Sequence, residues 1–151
     1  MLNESGMGLK LEEFDAYQRS MEFWRSVNAL LERPAFLKDC KLRDQIANAN
    51  DSIPANFAEG SEQGTDRAFG NFLYHSKGSA GEVVARLREA HLKKLITEED
   101  LTRHVRLGDE VCRLLAGLAR YLYKSNFKDR GHYKASLNDD EPSRSIKGRR
   151  T

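Results

Sequence analysis

The chain is poor in the residues that fix a protein's chemistry by themselves. It has two cysteines in 151 residues. Cys40 and Cys112 are far apart and follow no zinc or redox spacing, so buried or inert thiols in a reducing compartment are expected. No apolar run approaches the roughly 18 residues that a membrane span needs. Residues 1–10 hold no apolar core of signal-peptide type, so the expected location is the cytoplasm. No segment alternates apolar and polar residues as a half-buried strand would. No Glu is followed three residues later by His, the pair that di-metal carboxylate bundles use twice; Asp129 and His132 have a similar spacing but lie in the C-terminal tail. No serine sits in a nucleophile elbow or a glycine-rich phosphate loop. Catalytic residues, cofactors and metal ligands are therefore all expected to be absent.

What remains is helical periodicity. In residues 11–32, Phe14, Tyr17, Met21, Trp24 and Leu31 fall at three- and four-residue steps, with Asn28 in the vacant slot and Val27 and Leu30 widening the apolar face. Arg33-Pro34 stops this helix, because the residue before proline is pushed out of the helical region. A second helix is predicted from near Lys38, with Leu42, Ile46, Ala49 and Ile53 inward. Pro54 should kink it, and Asn56, on the core side, should satisfy backbone groups that the kink frees. Gly60 suits a left-handed C-terminal cap, and residues 61–65 form a loop.

Thr65 or Asp66 caps a third helix with Phe69, Leu73, Ser76, Ala80, Val83, Leu87 and Ala90 inward. Gly78 and Gly81 in its middle cost about 1 kcal/mol each against alanine, which suggests close approach to a neighbouring helix. Thr97, followed by Glu98, Glu99 and Asp100, opens a fourth helix. It carries Leu101, Val105, Gly108, Val111 or Cys112, Leu115, Leu118 and Leu122 to about residue 126. The predicted fold is all-α, an antiparallel up-down-up-down four-helix bundle over residues 11–126. Residues 1–10 are expected to be a flexible leader and residues 127–151 a basic, disordered tail.

The net charge of +2 is unevenly shared. Residues 1–123 carry 17 Lys/Arg against 19 Asp/Glu, and residues 124–151 carry eight against four. The candidate nucleic-acid contacts are Lys38, Lys41 and Arg43 at the start of the second helix, Arg67, and the tail cations Lys124, Lys128, Arg130, Arg149 and Arg150. The aromatics Phe14, Tyr17, Phe23 and Trp24 could stack on bases, but their regular spacing favours a core or subunit interface. Glu59 and Glu82 are expected to be solvated or ion-paired.

Three linked motifs carry a resemblance: S-I-P-A-N-F-A-E-G at residues 52–60, F-x-x-F-L at residues 69–73 and G-S-x-x-E at residues 78–82. Pro54, Asn56, Glu59, Gly60, Gly78, Ser79 and Glu82 are its signature positions. The chain resembles the four-helix-bundle proteins encoded in intervening sequences of bacterial 23S ribosomal RNA genes, a ribosomal-protein-like group that includes the accessory protein of diversity-generating retroelements. The resemblance implies a bundle assembling as a ring, typically a homopentamer, with no established enzymatic activity. It further implies RNA, DNA or a reverse transcriptase as partners. An adaptor that acts through protein contacts alone is the alternative. Where many relatives follow Glu-Gly with a basic stretch, this chain has S-E-Q-G-T-D, so that loop should hold RNA poorly.

Overall fold

The computed structural model describes residues 14–125, and four helices account for nearly all of them. They are α1 (Asp15–Leu31), α2 (Cys40–Ser61), α3 (Asp66–Leu92) and α4 (Glu98–Lys124), with a short 3-10 helix, Pro34–Lys38, before α2. The expected leader at residues 1–10 and the tail at residues 127–151, with Lys128, Arg130, Arg149 and Arg150, lie outside the described residues.

Contacts at the two ends fix the antiparallel order. At one end Arg33, after α1, pairs with Asp100 in the first turn of α4, and Lys93, after α3, pairs with Asp39 before α2. At the other end Phe14 packs on Phe57 and Phe69, and Ser125 Oγ donates to Asp66. Each helix packs on its two sequence or closing neighbours, α1 on α2, α2 on α3, α3 on α4 and α4 on α1. The result is a four-helix bundle with no strand among the described residues.

The starts follow local chemistry. Asp39 accepts from the Leu42 amide at 3.0 Å, and Thr65 from that of Ala68 at 3.1 Å. Thr97 and Asp100 form a reciprocal capping box, which satisfies two amides that a helix start leaves without partners. Arg33 is extended (ψ 140°) as a pre-proline residue should be. The expected helical start near Lys38 is thus a 3-10 turn that buries Phe36, and α2 proper begins at Cys40.

The end of α3 carries no glycine, yet it closes as a Schellman motif. The Leu95 amide reaches the Ala90 carbonyl and the Lys94 amide reaches that of His91, both at 2.9 Å. Lys94 therefore sits at φ 63°, a left-handed conformation that costs a side-chain-bearing residue roughly 1–2 kcal/mol. Lys94 is exposed, so Lys94→Gly is expected to stabilise the bundle by about 0.5–1 kcal/mol. Paired urea melts would check this, and a loss of stability would contradict it.

Several expectations need correction. α1 buries Ala16, Ser20, Phe23, Val27 and Leu30, one step round from the predicted stripe; Phe14, Tyr17, Met21, Trp24 and Asn28 are only half-buried. The narrower residues let α1 come close, and the Ser20 hydroxyl stays satisfied by donating to the Ala16 carbonyl at 2.7 Å. α2 runs unbroken through Pro54 to Ser61. Gly60 lies inside it, buried, and ends nothing. A Cβ there would stand 2.7 Å from Phe72 Cβ and 2.9 Å from the Phe69 ring, so this glycine sets the close approach of α2 to α3. Gly78 and Gly81 do the opposite of what was expected: both are exposed, and a Cβ on either would meet nothing within 4 Å.

Asn56 is half-buried and donates to the Ser52 carbonyl at 2.9 Å. The fully buried amide is that of Asn50, which donates to the Trp24 carbonyl and to Asn28 Oδ1, at 3.0 and 3.1 Å, tying α2 to α1. Cys40 is exposed rather than buried. Cys112 is half-buried, and burial pushes its thiol pKa up.

Candidate functional site

Two buried polar groups, His104 and Asp100, lie at the Arg33–Asp100 end. The His104 ring is 1% exposed. Its Nδ1 donates to the Asp100 carbonyl at 2.7 Å, and its Nε2 stands 2.9 Å from Ser26 Oγ. A serine and a histidine at this distance resemble a nucleophile and its base. The His104 ring is shut away from solvent, however, and the contact ties α1 to α4 in the interior. Periodicity had marked Leu101 and Val105 as the core of α4; His104 takes that place because its two nitrogens find partners inside.

Beside it, Arg33 grips Asp100 through two bonds, of 2.5 and 3.0 Å. The Arg33 hydrogen bond, helped by the Thr97 amide and opposed by burial, holds the Asp100 carboxyl far below its ordinary value of 3.8. A depressed folded-state pKa stabilises the fold above the unfolded value, and that stability is lost as pH falls. Asp100→Asn is expected to cost about 1–3 kcal/mol at pH 7. It should also flatten the fall in stability below about pH 4. Urea melts at pH 7 and pH 3 would test both; equal pH dependence in the two proteins would exclude the pair as an acid-sensitive tie.

Among the described residues no cluster of three or more His, Cys, Asp or Glu is placed to hold a metal ion. No described helix is long and apolar enough to cross a membrane.

The surface is where the structure departs most from the linear pattern. Residues 14–62, with α1 and α2, carry six Lys/Arg against eight Asp/Glu; residues 63–125, with α3 and α4, carry eleven against eight. The positive half concentrates on one broad face. Antiparallel packing sets Lys77 of α3 beside Cys112 of α4, whose Sγ reaches the Lys77 carbonyl. Arg88 lies beside Arg106 and Asp109 along a shallow open groove. Arg67 lies over the Tyr123 ring, 5.4 Å from its centroid. On the outer spine of α4, Arg106, Arg113 and Arg120 recur once per heptad, about 10.5 Å apart, with Lys124 one turn further on.

Arg67, Lys77, Arg88, Arg106, Arg113, Arg120 and Lys124 are all exposed. None of the seven forms an ion pair among the described residues. Arg19, Arg33, Arg43, Arg86 and Lys93 are by contrast each paired to a carboxylate. The face runs about 30 Å from Arg67 to Arg88, at 1.5 Å per residue. Gly78 and Gly81 leave the α3 backbone bare near its middle. Such a row of exposed cations outside ion pairs is complementary to a polyanion.

The sequence-predicted cations divide between the two ends. Lys38, Lys41 and Arg43 stand at the start of α2, with Lys38 and Lys41 exposed and Arg43 set against Asp44. Arg67 and Lys124 belong to the α3–α4 face at the other end. Lys77, Arg88, Arg106, Arg113 and Arg120 were missed as a group because they are scattered over 44 residues and meet only through helix pairing. The heptad spacing in α4 was the available signal. The aromatics of α1 form no platform, since Phe23 is fully buried and Phe14 and Tyr17 pack on Phe57. Glu59 is exposed and Glu82 pairs with Arg86 at 3.5 Å; Ser79 is half-buried.

A family model described as 23S rRNA-intervening sequence protein matches residues 12–117. Among solved structures, one from Bacteroides thetaiotaomicron, described as a protein with unknown function from the S23 ribosomal protein family, is similar with a TM-score of 0.62 and 22% identity. The match covers 69% of this chain and 97% of that one, and it shows a shared fold. No curated protein matches.

Proposed function

Because the chain belongs to the 23S rRNA-intervening sequence protein family, we propose that it is a non-enzymatic, self-associating scaffold of the cytoplasm that holds RNA on its α3–α4 face. The observation that carries the RNA-binding part is the row of seven exposed cations that form no ion pair among the described residues, although Glu98 and Glu99 line a groove with Arg106, Asp109 lies beside Arg88 and Arg106, and Glu110 lies near Arg113. Lys124 leads directly into residues 126–151, which add seven Lys/Arg against four Asp/Glu. The ring of five is what the family resemblance implies, and the half-buried strip of Tyr17, Met21 and Trp24 along α1, away from the α3–α4 face, is the contact face we propose for it.

Two measurements on the full chain test this. Light scattering should return about five times the 17.2 kDa of one chain; a 17.2 kDa species would overturn the ring. Anisotropy titrations with labelled RNA should show log affinity falling with log salt at a slope of about −5 per bundle if all seven cations meet phosphates of a single strand. Absence of binding at 50 mM salt would overturn the RNA reading and leave contact with a protein, such as a polymerase partner, as the remaining role.

A further inference from the structure

The basic face carries one feature that phosphate attraction does not require. Tyr74 of α3 is exposed, at 38%, and its ring lies 5.8 Å from that of Tyr123 at a tilt of 41°. Tyr123 is held on three sides: Arg67 covers its ring, its hydroxyl donates to Asn71 Oδ1, and Gly70 lies against its edge. A Cβ at position 70 would stand 2.7 Å from Tyr123 Cε1, so the ring occupies space that only glycine leaves. Two aromatic rings and a guanidinium are thus fixed together on the surface, within the row of cations.

We infer that Tyr74, braced by Tyr123 and Arg67, is a stacking shelf for an unpaired base, which makes single-stranded nucleic acid the preferred ligand of the basic face. The inference rests on the RNA-binding reading and adds the form of the ligand to it. Bases inside a duplex offer no free ring face, whereas a single strand can lay one on Tyr74 while its phosphates meet Arg120, Lys124 and Lys77. The shape of the face agrees. Two helices packed side by side, each 10–12 Å across, are wider than the roughly 12 Å of a major groove. A duplex could meet them only through its backbone.

The test compares a labelled 20-nucleotide oligouridine with a 20-base-pair RNA duplex, by anisotropy at one salt concentration, on full-length wild type, Tyr74→Ala, Tyr74→Phe and Gly70→Ala. Tyr74→Ala should weaken the single strand about 5- to 50-fold and leave the duplex within about twofold. Tyr74→Phe should bind like wild type, because the ring is kept. Gly70→Ala, which displaces the Tyr123 brace, should weaken the single strand alone. Equal loss on both ligands, or no loss on either, would overturn the shelf while leaving the basic face intact. Failure of both ligands to bind wild type would overturn the shelf together with the RNA-binding reading.

Discussion

Replacing Arg113 and Arg120 together by Glu is expected to lower RNA affinity about 30- to 100-fold at 0.1 M salt. Each phosphate contact with a single strand contributes a slope of about 0.7 in log salt, hence a factor of roughly five at that concentration. Two lost contacts give about 25-fold, and the two new carboxylates add repulsion. The salt slope should also shrink by 1.5 or more. Both side chains are exposed and outside any ion pair among the described residues, so the melting temperature should hardly move. Lys38→Glu with Lys41→Glu is the matched control. It makes the same change of charge at the start of α2, and affinity should stay within about threefold. Equal losses in the two double variants would mean that net charge alone governs binding, and no loss in the first would discard the α3–α4 face.

The largest effect on stability is expected from Phe57→Ala. Phe57 is fully buried and sits at the centre of a ring cluster, with centroids 6.1 Å from Phe14, 5.2 Å from Tyr17 and 5.8 Å from Phe69. It joins α1, α2 and α3 at one end of the bundle. Truncation removes the buried ring, leaves a cavity and loses tilted or edge-to-face contacts, for a combined cost of about 3–5 kcal/mol. For a bundle of this size that corresponds to a fall in melting temperature of roughly 10–20 °C. Calorimetry would decide it, and a shift below about 3 °C would show that the cluster collapses around the loss. Asn56→Leu, one residue away, should cost under about 1 kcal/mol. Its amide serves one carbonyl on its own helix at the surface, whereas Asn50 bridges two helices inside.

That contrast shows how far the chain could be read unaided. The stripes of α2 and α3 were legible because each helix has one apolar line, and every predicted inward position from Phe69 to Ala90 is buried. In α1 two lines compete. The one with larger side chains looked more convincing, but packing selected the line where Ala16 and Ser20 permit close contact. Gly60 was misplaced for a related reason. A glycine near a helix end suits a cap equally well in sequence, and only the position of Phe69 and Phe72 shows that it makes room for a neighbour. The cationic face was hidden because charges gain meaning from spatial company, and positions 77 and 113 become neighbours only after α3 and α4 have paired.

Trp24 is the single tryptophan of the chain. Its indole N–H donates to Asp51 Oδ1 at 2.9 Å, across the seam between α1 and α2. The protein therefore carries an intrinsic fluorophore at that seam, while the Tyr74–Tyr123 pair lies on the opposite side of the bundle. Emission from the indole reports how α1 is seated and whether a second copy covers it, without an added label. A nucleic acid bound on the far side leaves that signal undisturbed, so a single cuvette separates assembly from ligand binding.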